Sequence, residues 1–111
     1  MAQQLADLAV EPQVKGTPPR GLSRQELLIA AQAAWLFRES GSFPSELVCE
    51  HRGFSARTPQ GTETQESVEA WHDVATALGV TPTAYLGLLM SNPDKVARTL
   101  LRVRSGQRVN W

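Results

Sequence analysis

Residues 62–90, TETQESVEAWHDVATALGVTPTAYLGLLM, limit the possible folds more than any other stretch of the chain. Val68, Trp71, Ala75 and Leu78 recur at helical spacing, which assigns them to one buried face with Glu66, Glu69 and Asp73 opposite. Gly79 is the residue type that ends a helix in the left-handed conformation. Thr81 then caps a second helix, with Pro82 at its first position, where no backbone N–H is required. That second helix, through Met90, is almost wholly apolar. The pair lays down a large apolar surface, and the other segments must cover it.

Upstream, residues 1–21 read as a flexible arm. Leu5, Leu8 and Val10 allow one weak helical turn, but Pro12, Gly16, Pro18, Pro19 and Gly21 stop it. Ser23-Arg24-Gln25-Glu26 is a capping box, so a helix is expected over residues 24–40, ending at Gly41. Leu27, Leu28, Ile29, Ala31, Ala34, Trp35, Leu36 and Phe37 cover more than half of its circumference. Such a helix is either central to a core or partly covered by a partner.

Residues 44–58 admit two readings. Leu47, Cys49 and His51 alternate as a strand would, giving a short β-hairpin that turns near Arg52-Gly53. The same residues suit a two-turn helix from Pro44 to His51, and the run is too short for periodicity to arbitrate. The alternation favours the hairpin. Thr62 or Thr64 then caps the helix that follows. At the other end, Ser91-Asn92-Pro93-Asp94 starts a last helix over Pro93–Arg104, stopped by Ser105-Gly106. Val96, Leu100 and Val103 form its apolar seam, and Trp111 is placed to anchor the short tail. The expected fold is therefore α+β and helix-dominated: a helix, a short β-hairpin, then three helices. Residues 22–106 form one small domain between the arm and a tail of residues 107–111.

Charge and cysteine usage narrow the function. The 111 residues carry no net charge, so no global field steers the chain to nucleic acid or membrane. The charge is unevenly placed: six basic and ten acidic side chains before residue 91, five basic and one acidic after it. An asymmetry of −4 against +4 suits a binding tail or charge complementarity between copies. The single cysteine, Cys49, allows no internal disulfide and fits a reducing compartment. The N-terminus lacks the pattern of a secretory signal, and the longest near-apolar run, residues 27–37, is too short to span a bilayer. A cytoplasmic protein without membrane contact is expected.

Chemical motifs are sparse. Cys49 and His51 would share a strand face, but no residue is placed to orient them, so a buried thiol and a surface imidazole are expected rather than a nucleophile pair. The two histidines, of which His72 flanks Trp71, and the cysteine have no metal-ligand spacing, and no glycine loop cradles phosphate. No cofactor, no metal and no enzymatic activity are expected. Ala75-x-x-Leu78-Gly79-Val80, with Leu88 further on, resembles in spacing the helix-turn-helix of bacterial DNA-binding regulators. That resemblance implies a second helix that reads bases. Yet residues 82–90 contain no Arg, Lys, Asn or Gln to reach base edges, and residues 59–90 carry four acids and no Lys or Arg.

The leading expectation is a small non-enzymatic protein-interaction module, such as an adaptor, inhibitor or regulatory subunit. Its binding residues would be Trp35, Phe37, Tyr85, Leu86 and Leu89, rimmed by charge. The alternative is a nucleic-acid-binding regulator using the helix-turn-helix-like unit and a basic C-terminal stripe of Lys95, Arg98, Arg102, Arg104 and Arg108. The acidic face of residues 62–78 and this basic stripe also suit a homo-oligomer, each binding the other across copies.

Overall fold

The computed structural model describes residues 21–109 and Trp111. The expected arm, apart from Gly21, lies outside the described residues. Among the described residues six helices follow in order: α1 (Arg24–Trp35), α2 (Phe37–Ser40), α3 (Pro44–His51), α4 (Gln65–Leu78), α5 (Pro82–Ser91) and α6 (Pro93–Arg104). Among the described residues no single helix is long and apolar enough to cross a membrane.

Most boundaries follow from the caps. Ser23 Oγ accepts from the Glu26 N–H at 3.1 Å and Glu26 Oε1 accepts from the Ser23 N–H at 2.9 Å, closing the capping box of α1. Thr64, Thr81 and Asn92 each accept a backbone N–H of the helix they open. Gly79 ends α4 at φ 72°, where a side chain would be strained, and the chain bends by 74° into α5. The helix expected over residues 24–40 is interrupted at Leu36, which separates α1 from α2.

The β-hairpin expected at residues 44–58 is absent, and among the described residues the fold is helical, with no β-strand, rather than α+β. Residues 44–51 form α3, and the only β-type pairing among the described residues is an isolated antiparallel bridge between Arg57 and Glu63. The reason is local. Pro44 occupies the first helical position, and Glu46 Oε1 accepts the Phe43 N–H at 2.9 Å, satisfying a donor that a strand would have left for a ladder. Burial then follows helical spacing: Pro44, Ser45, Val48 and Cys49 turn inward, while His51 is exposed. In a helix residues two apart point roughly 200° from one another, so Cys49 and His51 do not share a face.

α1 packs most extensively on α6 and then on α3, while α4 lies against α3, α5 and α6. The core joins Leu27, Ala30, Ala31 and Ala34 of α1 to Val48 and Cys49 of α3, Ala70, Val74, Ala75 and Leu78 of α4, Tyr85 and Leu89 of α5, and Val96, Ala97 and Leu100 of α6. The alanines of α1 let its neighbours approach closely. α4 is rotated relative to the expected register. Ala70, Val74 and Leu78 face inward together with Ser67 and Asp73, whereas Val68 is exposed and Trp71 half-buried.

The rotation is explained by Arg52, the residue that caps α3. Its Nε lies 2.8 Å from Glu26 Oε2 of α1, and its Nη2 lies 3.0 Å from Asp73 Oδ2 of α4. Nη2 also reaches the Gly21 carbonyl at 3.4 Å. Asp73 is only 3% exposed, so the carboxylate assigned to the outer face of α4 is instead drawn inside to a buried cation. Desolvation alone would lower the guanidinium's pKa; the hydrogen bonds to Glu26 and then Asp73 outweigh it and raise the pKa above its ordinary value.

A second buried contact ties α3 to α5. The Tyr85 hydroxyl accepts the Ser45 N–H at 3.2 Å and lies 3.3 Å from Ser45 Oγ. Its ring ends a line of aromatic contacts running from Phe37 to Phe43, to Trp71 and to Tyr85, with centroids 5.4, 5.3 and 4.7 Å apart. Trp71 Nε1–H donates to the Pro82 carbonyl at 3.0 Å, closing the α4–α5 corner.

Two expectations follow. Arg52→Ala removes the cation that Asp73 and Glu26 share and leaves the Asp73 carboxylate buried without it, which should cost about 3–5 kcal/mol, read from the urea midpoint; an unchanged midpoint would show that the pair between Arg52 and Asp73 is solvated. Tyr85→Phe orphans the Ser45 amide and should cost about 1–3 kcal/mol. Burial also pushes the Tyr85 phenol above its ordinary pKa, so the folded state keeps the proton that the unfolded chain releases. The stability this provides is complete below about pH 10 and declines above it, as the unfolded phenol ionises. Tyr85 is the only tyrosine, so Tyr85→Phe should remove this phenolic part of the alkaline decline; an identical pH profile for the variant would contradict it.

Candidate functional site

The residues expected to bind a partner divide into two groups. Tyr85 and Leu89 are fully buried and belong to the core, so they cannot form a binding surface. Phe37 is half-buried and stacked on Phe43. Leu86 remains on the outer side of α5, beside Met90, which is 66% exposed. Trp35 is 47% exposed at the end of α1, and Leu36, in the break that follows, is 57% exposed.

Trp35 and Leu36 complete a strip along the outward side of α1. Leu28 and Ile29 are half-buried, and Gln32, Trp35 and Leu36 are exposed; their spacing of one, four, seven and eight residues is that of a single helical face. No charged side chain lies on α1 after Glu26, and Glu26 is held by Arg52 and the Ser23 amide. Beside the strip is a groove of ≈ 290 Å³, walled by Ile29, Ala33, Leu36 and Leu47, with Gln32, Ser40 and Ser42 at its polar points. A pocket that is mostly apolar with a few hydroxyl and amide groups suits an inserted apolar side chain whose backbone needs one or two hydrogen bonds. Leu28, Ile29, Leu36 and Leu47 were not among the expected site residues. The signal for them is the all-round apolar composition of residues 27–37. Once α6 and α3 cover one side of α1, the remainder is this strip.

The basic residues also divide. Arg98, Arg102 and Arg108 are exposed, and among the described residues Arg98 and Arg102 have no carboxylate within ion-pair distance. Arg104 Nε–H donates to the Arg24 carbonyl at 3.0 Å, and Arg24 Nη1–H donates to the Arg104 carbonyl at 2.6 Å, which interlocks the end of α6 with the start of α1. Lys95 Nζ donates to the Trp111 carbonyl at 3.1 Å and lies 5.6 Å from the centroid of its ring. Trp111 Nε1–H in turn donates to the Leu78 carbonyl at 2.9 Å, so the tail covers the end of α4. The acidic face expected on the opening helix, Glu66, Glu69 and Asp73, is reduced: Asp73 is buried and Glu66 half-buried, leaving Glu69 exposed.

The helix-turn-helix-like corner carries no reading chemistry. The outer side of α5 presents Thr83, Ala84, Leu86, Gly87 and Met90, without a cation or an amide side chain. Cys49 is buried with its Sγ 3.6 Å from the Phe54 carbonyl, and burial, then the charge of Glu66, pushes the thiol's pKa up, away from the reactive thiolate. Among the described residues no group of three His, Cys, Asp or Glu side chains is arranged to hold a metal ion. Comparison with protein-family models, with curated proteins and with solved structures found no match.

Proposed function

We propose that this chain is a non-enzymatic protein-interaction module, of the adaptor, inhibitor or regulatory-subunit type, which receives an apolar surface on the outward strip of α1. The observation that carries this reading is the strip itself: Leu28, Ile29, Trp35 and Leu36, uncharged and at least partly exposed, beside an apolar groove. An exposed tryptophan flanked by aliphatic side chains supplies the anchor type that dominates binding energy in protein interfaces. Arg24, Arg38 and Glu39, exposed at its two ends, form the polar rim such interfaces have. A reducing, cytoplasmic setting agrees with a lone buried thiol.

A nucleic-acid-binding regulator is the second reading, favoured by the exposed Arg98 and Arg102, which no carboxylate among the described residues neutralises. It ranks lower because the neighbouring outer side of α5 is neutral, and because Lys95 and Arg104 direct donors to backbone carbonyls of the same chain.

Two exposed-site variants separate the readings: Leu36→Glu and the double change Arg98→Glu/Arg102→Glu, each checked for an unchanged melting temperature. After affinity purification with nuclease treatment, the wild type and the double variant should retain the same protein at fixed stoichiometry, and Leu36→Glu should lose it. Tight, salt-sensitive binding to DNA or RNA that the arginine reversals abolish and Leu36→Glu leaves intact would overturn the choice.

A further inference from the structure

The strip has an internal symmetry. Gln32 is at its middle, with Leu28 and Leu36 four residues to either side and Ile29 and Trp35 three to either side. Leu28 and Trp35 fall on one flank of Gln32, Ile29 and Leu36 on the other. The same spacing continues outward: Gln25 lies seven residues before Gln32 and Glu39 seven after, two helical turns each way and hence on the same side. The phase holds approximately across the Leu36 break, because the Leu36 N–H still reaches the Gln32 carbonyl at 3.2 Å and the Ser40 N–H reaches the Leu36 carbonyl at 2.8 Å. Arg24 is about 80° around the helix from Gln32, on the flank of Leu28 and Trp35, whereas Arg38 is about 120° from it and turned away from the strip. The strip is therefore self-complementary end for end: an aliphatic and aromatic centre, Arg24 and Gln25 at one end, and at the other Glu39, exposed and without an ion pair among the described residues.

Resting on the interaction reading above, we infer that the surface received by α1 is the same surface of a second copy of this chain, the two α1 helices packing antiparallel about a dyad at Gln32. A two-fold axis of this kind brings like flank to like flank. Trp35 then covers the partner's Leu28, and Leu36 enters the partner's groove beside Ile29. The two Gln32 amides meet at the axis, where each can donate to and accept from the other. Arg24 and Gln25 of each copy come opposite Glu39 of the other, so two cross-copy charge pairs close the ends; a parallel arrangement would instead set Glu39 against Glu39 and Arg24 against Arg24. α1 is only about 18 Å long. The contact is therefore at the small end of protein interfaces, below about 1,200 Å² in total, and the dimer is reversible, in the micromolar range.

Sedimentation equilibrium of the full chain should show a monomer–dimer equilibrium across micromolar concentrations. Gln32→Lys sets two ammonium groups against each other at the axis and should weaken the dimer by at least about tenfold. Glu39→Arg alone, and Arg24→Glu alone, should each weaken it, and the combination should restore it, because the pair is rebuilt across the axis with its signs exchanged. Arg24 also bonds the Arg104 carbonyl, so melting temperatures accompany the series, and Glu39→Arg, which touches no such bond, serves as the cleaner single change. A wild type that stays monomeric overturns the inference, and leaves the strip to another protein or to residues 1–20. A dimer that Gln32→Lys leaves unchanged, or that the exchanged pair fails to restore, also overturns it. The purification contrast with Leu36→Glu is read separately: retention of another protein by a monomeric wild type and its loss in Leu36→Glu would keep the module reading while removing the second copy as its partner.

Discussion

The structure depends on a cation enclosed by two carboxylates. Arg52 follows α3 directly, and its guanidinium reaches Glu26 in the first turn of α1 and Asp73 in the middle of α4. Each of these charges costs several kcal/mol to remove from water, a cost offset only when all three meet with their hydrogen bonds made. That condition is geometric. α3 must be helical and of this length to deliver Arg52, and α4 must present Asp73 inward. Apolar surfaces tolerate some sliding and rotation. Three buried charges do not, and we take them to specify the arrangement of α1, α3 and α4 more than to add stability.

Once α1 is held in this way, its outward face is determined. The alanine-rich side, Ala30, Ala31 and Ala34, goes against α3 and α6, and Glu26 is drawn into the charge cluster. What remains outward is Leu28, Ile29, Gln32, Trp35 and Leu36, none of them charged. The proposed binding surface is thus the complement of the core packing. The Phe37–Phe43–Trp71–Tyr85 contacts join the far end of that surface to α5, and the Tyr85–Ser45 bonds secure α3 from the opposite side.

How much of this was legible in the sequence depended on how local the deciding interaction is. Ser23 with Glu26, Thr81 with Pro82, Asn92 with Pro93, and Gly79 act within four residues of one another, and the helix ends they mark were readable. The choice between hairpin and helix at α3 was not. Three alternating residues gave a strand pattern too short to outweigh Pro44 and Glu46, whose capping role signals a helix. The face of α4 was misassigned for a different reason. Asp73 reads as a surface residue until its partner 21 positions earlier is known, and no periodicity reveals that. The site behaved alike. Trp35 and Leu86 were visible as exposed apolar candidates, but Tyr85 and Leu89 belong to the core because α5 turns both inward, with Tyr85 against Ser45 of α3 and Trp71 of α4. Arg104 and Lys95 looked like free cations because the carbonyls they bind, on Arg24 and Trp111, are brought to them only by tertiary packing.

A double-mutant cycle between Arg52 and Asp73 tests the central claim most directly, using Arg52→Met, Asp73→Asn and the double variant, with free energies of unfolding from denaturant titration. The account predicts a coupling well above about 1 kcal/mol, the upper end for exposed ion pairs. Single changes whose effects add to within about 0.3–0.5 kcal/mol would contradict it, since the charge cluster would then not be what sets the position of α4.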